Sequence, residues 1–380
     1  MKNFHFQGVG AISFGVDRIE LLGDDIDALP NKVTTVVLIS DAGVASAGIT
    51  DRVKTILERC GYDVVAFSDL DGEPKSESVD EAAAIVRDCK QPCVVGLGGG
   101  SALDVAKLAA VIAGDDSPAE DYALCARSFP KPALPRIMIP TTAGTGSEVT
   151  LTAIFSTHEG RKVWAWGQEL KPESVILDPR LTVSLPKSVT AATGLDALVH
   201  AIEACTCKAR NTFTDSFALN AISLARQHLM TVIEKPDDLP ARGGMLLAST
   251  LAGIAFGSTG TGAAHAIGHA LGTVANVSHG RSVAIGLDVL LKRNAEASPD
   301  AHAAVAEALG GDRNPLATAS AFRNLLELTG MNLSLADKKI GPAILAAVMM
   351  SEENIPMIEN NASRITTTDA LDLARQILNQ

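Results

Sequence analysis

Two segments in the second half of the sequence each place two polar side chains four residues apart. One pair is an aspartate and a histidine, and the other is two histidines. Asp196 precedes His200 in TGLDALVHAIEAC, and His265 precedes His269 in GTGAAHAIGHALG. Residues four apart lie on one face of an α-helix, so each pair presents its side chains to one side. Imidazoles and a carboxylate, without thiolates, are typical ligands of Fe²⁺, Zn²⁺, Co²⁺ or Mn²⁺. The spacing therefore predicts a divalent-metal site built from helices.

A fifth candidate, His279, follows ten residues after His269 in VSHGR. On one straight helix it would lie about four turns from His265, roughly 21 Å away, which is too far to share an ion. Gly272 and the segment after it can end the helix and let the chain return. The remaining histidines have no such neighbours and are interpreted as incidental: His5, His158, His228 and His302.

A glycine-rich turn in the first half joins a β-branched run to a helix, in CVVGLGGGSALDVAKLAAVIA. Glycines let the backbone approach a ligand, and a helix start offers free N–H groups to an anion. We expect Ser101 to cap this helix. Because Ser101 stands where a GxGxxG motif needs its last glycine, the turn is neither that motif nor a Walker A loop. By itself the pattern fits either an anion site or a tight strand-to-helix turn.

Two further polar features follow β-branched runs. Asp41 ends the run VTTVVLIS, where a carboxylate can accept hydrogen bonds from an adenosine ribose and repel a 2′-phosphate. That position favours NAD over NADP, although a turn or helix-capping aspartate fits equally well. The loop PTTAGTGSEVT offers hydroxyls and glycines that suit phosphate or ribose contacts, and it is equally a solvated turn.

The elements that must position these residues change in character near Pro186. Up to that point short β-branched runs alternate with helical segments, which predicts βαβ units and a parallel sheet. Beyond it, Ala/Leu-rich segments with helical periodicity continue to the C-terminus. We therefore predict an α/β N-terminal dinucleotide-binding domain over residues 1–186 and an all-α C-terminal metal-binding domain over residues 187–380.

Composition limits the classes of partner. The 380 residues are 47% apolar and carry a net charge of −12, which opposes a general nucleic-acid surface. The six cysteines form no pair of zinc-type CxxC hooks and are expected to be reduced thiols. The N-terminal residues lack the apolar core of a signal peptide, and apolar runs are interrupted by charge or glycine. We expect a cytoplasmic protein with no membrane segment, assembled as a homodimer or a higher homo-oligomer.

Several of these segments together resemble the iron-containing (group III) alcohol dehydrogenase family. They occur in the family's order between about residues 94 and 280: GGGSALDVAK, PTTAGTGSEVT, LDPRLTVSLP, ATGLDALVHAIEA, HAIGHALG and VSHG. The resemblance implies the two-domain fold shared with dehydroquinate synthase, with NAD(P) and one divalent metal, Fe²⁺ foremost and Zn²⁺ as an alternative, in a cleft between domains. Ala102 and Ser278 stand where members commonly have proline, and neither change removes a ligand.

The resemblance also assigns roles to individual residues. It implies four metal ligands, which are Asp196, His200, His265 and His279, and places His269 beside the nicotinamide in the proton path. For the cofactor it implies Gly99, Gly100 and Ser101 at the pyrophosphate with Asp104 nearby, Thr141, Thr142 and Thr145 along the nicotinamide half, Asp41 for NAD preference, and Lys162. For the substrate pocket it implies Phe256 and Thr152.

The expected activity is hydride transfer between NAD and a small alcohol or aldehyde, with the metal polarising the substrate oxygen. A sugar-phosphate cyclase of the dehydroquinate synthase type is one alternative, but it needs several bases near the metal motifs, and the nearest in sequence are Lys208, Arg210 and Arg281. A hydroxyacid–oxoacid transhydrogenase and a non-catalytic nucleotide- or metal-binding protein are the others. The sequence leaves the individual substrate open.

Overall fold

The computed structural model describes residues 4–6, 8–70 and 72–379, which divide into two compact units. The sheet unit comprises residues 8–142 and 147–184, and the helical unit comprises residues 4–6, 143–146 and 185–379. The predicted fold class, a parallel α/β unit and a helical unit, is confirmed. The short segment 143–146 groups with the helical unit, so neither unit is one unbroken stretch of the chain. The domain boundary predicted between residues 186 and 187 stays a prediction.

The sheet unit is built on six parallel strands in the order β1-β8-β5-β4-β2-β3, with a separate antiparallel hairpin formed by β6 and β7. The strands are β1 (Ala11–Phe14), β2 (Thr35–Asp41), β3 (Asp63–Leu70), β4 (Pro92–Gly98), β5 (Arg136–Pro140), β6 (Thr152–Ser156), β7 (Lys162–Trp166) and β8 (Ser174–Leu177).

Helices cover this sheet. They are α1 (Leu22–Asp27), α2 (Ala42–Ser46), α3 (Ile49–Arg59), α4 (Ser76–Asp88) and α5 (Gly100–Ile112), with 3₁₀ helices at Arg18–Leu21, Ala119–Cys125, Ser147–Val149, Gln168–Leu170 and Pro179–Thr182. The central strands β2, β4 and β5 are buried almost throughout, because helices pack on both faces of the sheet. Helix α5 is buried from Ala102 to its end. The glycine-rich turn before it is therefore held between a buried strand and a buried helix.

The helical unit contains the remaining helices: α6 (Lys187–Thr206), α7 (Thr212–Glu234), α8 (Leu239–Thr259), α9 (Ala263–Ala275), α10 (His279–Ala297), α11 (Pro299–Ala308), α12 (Ala317–Thr329), α13 (Pro342–Met349), α14 (Ile355–Asn360) and α15 (Thr367–Leu378). By length and composition α8 could cross a membrane, contrary to the expectation that every apolar run is too short. However, 72% of its most apolar window is buried inside the protein, as in the core helix of a helical domain.

Close helix packing brings the histidine-bearing helices together. Helix α10 contacts both α6 and α9. At the crossing with α6, a Cβ on Gly280 would lie 2.1 Å from the carbonyl oxygen of Ala192, so only glycine allows the backbones this near. The first residue of α10, His279, is thereby held against the face of α6 that carries Asp196 and His200.

Candidate metal centre and dinucleotide edge

Three helices supply the predicted metal ligands. Asp196 and His200 lie in the middle of α6, His265 lies in the first turn of α9, and His279 begins α10. Helix α9 continues past Gly272 to Ala275, and the chain turns at Asn276, whose φ is +50°. The helix therefore ends, and the chain returns, within the segment after Gly272, as predicted.

One oxygen atom is the meeting point of these side chains. Oδ1 of Asp196 lies 3.5 Å from Nδ1 of His200 and 3.7 Å from Nε2 of His265. It lies 3.5 Å from Nε2 of His279. Asp196, His265 and His279 each offer one ligand atom, and those atoms all lie within 4.8 Å of one another. His200 falls outside that group of three but faces the same oxygen.

These separations suit a bound ion better than hydrogen bonds. Within the described residues, Oδ1 of Asp196, Nδ1 of His200 and Nε2 of His265 are buried with no hydrogen-bond partner. Leaving buried polar atoms unpaired is costly unless something else satisfies them. Two ligand atoms that each lie about 2.1 Å from a tetrahedral ion are about 3.4 Å apart, close to the distances observed. The residues therefore fit a divalent cation.

Burial and neighbouring charges set the protonation of this cluster. Burial opposes ionisation of Asp196, but the imidazoles of His200, His279 and His265 outweigh it and hold its pKa well below the usual range. Burial lowers the pKa of His200 to about 4, so its ring is neutral near pH 7. Burial also disfavours the charged ring of His265, yet Glu203 and Asp196 together raise its pKa to about 9. A cation binding at this point must displace a proton from His265.

His269 is adjacent to this cluster but is not part of the group of three. It lies one turn after His265 on α9 and is buried, and its ring centroid is 5.7 Å from that of His279. Phe256 of α8 stacks on His200 with ring centroids 4.1 Å apart and covers one face of that imidazole. The structure thus places the predicted proton-path histidine and the predicted pocket phenylalanine next to the candidate ligands.

A second carboxylate that contacts this cluster was not identified from the sequence. Glu203 lies seven residues after Asp196, two turns further along α6, and is buried. Its Oε2 accepts a hydrogen bond of 2.5 Å from Nδ1 of His265. The seven-residue spacing between Asp196 and Glu203 could have indicated this contact, because residues two turns apart share a helix face.

The loop after β5 supplies a second unpredicted contact within the helical unit. A Cβ on Gly144 would lie 2.7 Å from Cβ of Thr193 on α6. Gly146 is equally restricted, because its Cβ would lie 2.6 Å from Cα of Gly253. The glycines of this loop are therefore required for close packing on α6 and α8. Thr145, predicted to contact cofactor, lies between them.

In the sheet unit, residues predicted to bind a dinucleotide gather at the carboxyl ends of β2, β4 and β5. Oδ2 of Asp41 lies 2.7 Å from the position that a Cβ on Gly98 would occupy. The amide of Thr141 donates to the carbonyl of Gly98, and a Cβ on Gly99 would touch the methyl of Thr142 at 3.3 Å. The chain leaves β2 toward β3 and leaves β4 toward β5, in opposite directions. Such a reversal in strand order is where open α/β sheets bind ligands.

At this edge of the sheet, the position of Ser101 in α5 differs from the predicted one. Gly99 is the N-cap residue of α5 and Ser101 is its second residue, so the predicted capping role of Ser101 is wrong. Gly100 and Ser101 instead contribute backbone N–H groups of the first turn, which lack acceptors inside the helix. Asp41 also caps α2, since its Oδ1 accepts from the amide of Val44 at 2.9 Å.

Two predicted cofactor residues have protein partners. Asp104 accepts hydrogen bonds from Ser147 at 2.5 Å and from the amide of Ile154 at 3.0 Å, and it pairs with Lys107 at 2.9 Å. Lys162 pairs with Glu73 at 2.7 Å. The carboxylate of Asp104 therefore binds Ser147, in the loop that follows β5, and both of its oxygens already have partners within the protein.

Lys107, which was not identified from the sequence, joins Asp104 in these contacts. It is fully buried, and it donates to the carbonyls of Ser147 and Thr152. Thr152, predicted for the substrate pocket, is thus fixed through its backbone at the start of the β6–β7 hairpin.

Comparison with known proteins gives the family. Residues 10–179 match the model of iron-containing alcohol dehydrogenases, and residues 190–377 match the C-terminal model of the same family. Choline dehydrogenase of Bacillus subtilis is 37% identical over 331 residues, covering 85% of this chain and 81% of that protein. The NAD-dependent methanol dehydrogenase of Bacillus methanolicus is 33% identical over 365 residues, covering 95% and 93%.

Solved structures agree with these matches. The sulfoacetaldehyde reductase of Bifidobacterium kashiwanohense, solved in complex with NAD⁺, superposes with a TM-score of 0.92 at 29% identity and covers 100% of both chains. The family models together span most of the sequence and include the segments that hold the candidate ligands and the glycine turn. The chain therefore belongs to the iron-containing alcohol dehydrogenase family.

Proposed function

We propose that this protein is an NAD-linked, metal-dependent alcohol dehydrogenase or aldehyde reductase that acts on a small alcohol or aldehyde. The observation that carries this proposal is the convergence of three histidine nitrogens on Oδ1 of Asp196 at 3.5–3.7 Å. Family membership supplies the reaction class and favours it over the sugar-phosphate cyclase. Relatives named for methanol and for sulfoacetaldehyde support small alcohols and aldehydes as the substrate class.

The metal ligands in this proposal are Asp196, His200, His265 and His279, with Fe²⁺ as the first candidate ion and Zn²⁺ as an alternative. When bound, such an ion acts as a Lewis acid on the oxygen of an alcohol or aldehyde. The chain contributes one ionised carboxylate and neutral imidazole at His200. Phe256 stacks on one face of His200 and would form a wall of the substrate pocket.

The cofactor in this proposal is NAD. The first-turn amides of α5, at Gly100 and Ser101, would hold the pyrophosphate with Gly99, since helix N-termini attract anions. Asp41 would accept from the adenosine ribose. The remaining contacts are proposed for Thr141, Thr142, Thr145 and Lys162, with Asp104 shaping the loop after β5. The nearness of Asp41, Gly98 and Thr141 at one sheet edge supports this arrangement.

His269 would move the proton between the substrate oxygen and solvent. An ordinary histidine has a pKa near 6.5 and can take or give a proton at neutral pH. Its position one turn from His265, beside His279, supports this role. We further propose a cytoplasmic homodimer. The six cysteines are free thiols, which fits a reducing compartment.

Substitution of His265 by alanine tests the proposal. We expect the variant to lose both bound metal and NADH-linked turnover, because removing one of four ligands leaves buried polar atoms without their ion. Metal content by elemental analysis and NADH absorbance measure the two losses. The matched control is His158→Ala, which removes an exposed histidine paired only with a surface glutamate. A His265→Ala protein that keeps its metal and its turnover contradicts the proposal.

A screen of aldehydes with NADH and added Fe²⁺, Zn²⁺ or Mn²⁺ distinguishes the alternatives. Net oxidation of NADH by a simple aldehyde is the expected result. A sugar-phosphate cyclase would instead release product without net change in NADH. A transhydrogenase with tightly held NAD would exchange hydride only between a hydroxy acid and an oxo acid supplied together. Metal and NADH binding without turnover of any of these compounds would indicate a non-catalytic protein.

A further inference from the structure

A buried carboxylate lies directly behind one of the candidate metal ligands. Glu203 is 2% exposed and shares with Asp196 and His200 the inward face of α6. Unlike Asp196, it does not point at the other histidines. Its contacts are instead directed at the first turn of α9, on the side of His265 away from Asp196.

Both oxygens of Glu203 are committed to that turn. Oε2 accepts from Nδ1 of His265 at 2.5 Å, and Oε1 accepts from the backbone amide of Ala264 at 2.8 Å. The amide of Ala264 is one of those at a helix start that have no acceptor within the helix. A single carboxylate therefore fixes both the position of the first turn and the orientation of the imidazole it carries.

The residues around the carboxylate of Glu203 are closely packed. A Cβ on Gly262 would lie 2.8 Å from Oε1 of Glu203 and 3.2 Å from Oδ1 of Asn361. Asn361 accepts from the neighbouring amide of Ala263 and exchanges hydrogen bonds with the buried Asn294. Glu203 and Asn361 thus hold successive amides of the same helix start, and the glycine before it is required by their closeness.

The hydrogen bond decides which nitrogen of His265 is available. An ionised carboxylate only accepts, so Nδ1 of His265 must carry a proton. In the neutral ring the lone pair then belongs to Nε2, the nitrogen that faces Oδ1 of Asp196 at 3.7 Å. A ligand histidine held through its other nitrogen by a carboxylate has its orientation fixed before the metal arrives, and Nε2 is the nitrogen that gives up its proton when the metal binds.

We propose that Glu203 is a positioning residue, which fixes the tautomer of His265 and aims its Nε2 at the metal. This role rests on the proposed function, since it requires that Asp196 and the histidines bind an ion. It assigns to the buried end of α6 a part in metal affinity in addition to its part in packing.

Glutamine is an informative replacement because it is nearly the same size but cannot satisfy both partners. If its oxygen faces Nδ1 of His265, its NH₂ meets the amide of Ala264, and two donors oppose each other. If its oxygen faces Ala264, its NH₂ donates to Nδ1 and forces the proton of His265 onto Nε2. Either arrangement should weaken metal binding by about 10- to 100-fold, the usual effect of losing such a partner.

The experiment measures the dissociation constant for Zn²⁺ of metal-free protein by competition with a chelator. The matched control is Thr206→Val, an isosteric change one turn along α6 at a buried hydroxyl that donates only to its own helix. We expect Glu203→Gln to bind Zn²⁺ about 10- to 100-fold more weakly and Thr206→Val to match the wild type. Equal affinity in all three proteins would overturn the role of Glu203 but leave the proposed function intact. Failure of the wild type to bind any divalent ion would overturn both.

A second measurement needs no variant. Two-bond ¹H–¹⁵N spectra of Zn²⁺-loaded wild-type protein with labelled histidine report which nitrogen of each ring carries the proton. We expect His265 to hold its proton on Nδ1 and to show the shift of a metal-bound nitrogen at Nε2. A proton on Nε2 with the metal on Nδ1 would overturn the proposal, because Nδ1 could not then donate to Glu203.

Discussion

At the scale of single residues, Asp196 is the point on which the candidate centre depends. Its Oδ1 faces three histidine nitrogens, and those histidines keep its pKa low although it is buried. The histidines are not equivalent, because His200 is covered by Phe256 and His265 is held from behind by Glu203. One cluster therefore contains rings with different partners, and this permits different roles.

The roles of the two histidines on α9 can be separated by substitution. We expect His269→Ala to keep its metal, because its ring lies outside the group formed by Asp196, His265 and His279. Turnover should fall about 10²- to 10⁴-fold, the usual contribution of a positioned acid–base group. Elemental analysis and steady-state kinetics measure the two properties, with His265→Ala as the variant that loses both. Loss of metal from His269→Ala would show that our assignment of roles is wrong.

Cofactor preference can be tested at Asp41. Its carboxylate would repel a 2′-phosphate, so neutralising it should raise kcat/KM for NADP relative to NAD by about tenfold or more, equivalent to about 1.4 kcal/mol. Asp41→Asn is preferable to Asp41→Gly, because asparagine can still cap α2 through the bond now made to Val44. An unchanged ratio in both variants would remove Asp41 from cofactor selection.

Sequence spacing predicted that each pair on a helix would face one way, but it could not assign partners. The position of His279 depends on the left-handed turn at Asn276 and on the close contact of Gly280 with α6, and neither follows from periodicity. Glu203 was missed because its partner lies 62 residues away in sequence. Residue types and helix faces were predictable, whereas the contacts between helices were not.

At the scale of elements, the strands with continuous β-branched runs were predictable. Strands β2, β4 and β5 are buried on both faces, so their sequences are apolar throughout. Strand β1 was missed because AISF is short and largely exposed at the sheet edge. The N-cap of α5 was placed at Ser101 from its side chain, but the backbone bends at Gly99, where glycine allows close approach to Thr142.

The last helix offers a test of how one carboxylate stabilises an element. Asp369 closes a capping box with Thr366 and pairs with Arg293 of α10 at 2.8 Å. The bond to Arg293, with those to Thr366, holds the pKa of Asp369 well below its usual range. Its contribution is therefore present above the ordinary carboxyl pKa and is lost as pH falls through its lower folded-state value.

We expect Asp369→Asn to lower the free energy of unfolding by about 0.5–1 kcal/mol at pH 7, because asparagine can still accept from Thr366 but loses the charge that pairs with Arg293 and favours the helix start. The difference from wild type should shrink as pH falls below about 4, where the carboxyl of the unfolded chain takes up a proton, and should vanish below the lower folded-state pKa. Urea unfolding at several pH values measures it. Asp372→Asn, on the same helix at an exposed pair with Arg375, should change stability little. Equal effects of the two variants would contradict a stabilising role for the charge of Asp369.

At the scale of the whole molecule, the change from β-branched runs to Ala/Leu-rich helical segments near Pro186 predicted two units of different kinds. The aliphatic content and scarcity of aromatics suit both a buried parallel sheet and closely packed helices. The assignment of residues 143–146 to the helical unit was not predictable, because it arises from two glycines that fit against Thr193 and Gly253. Each unit has its own buried core, so ligands that bind within one unit should stabilise that unit first.

This leads to a prediction about where the molecule becomes more rigid on binding. A metal held by α6, α9 and α10 should slow amide hydrogen exchange in residues 187–206, 263–275 and 279–297, since binding opposes local opening of the segments that supply ligands. NADH should slow exchange at the carboxyl ends of β2 and β4 and in the first turn of α5. Saturation at 100 times the dissociation constant corresponds to about 2.7 kcal/mol, which is readily detected by mass spectrometry.

The control for that measurement is His265→Ala, which should lose the effect of Zn²⁺ on the three helices and keep the effect of NADH on the sheet unit. That pattern would separate a lost ligand from general unfolding, because a misfolded variant would respond to neither. Zn²⁺ that protected the glycine turn and left α6 unchanged would contradict a metal centre at Asp196. Since exchange is followed peptide by peptide, the same data would also show whether α9 is protected from its first turn, where Glu203 holds His265.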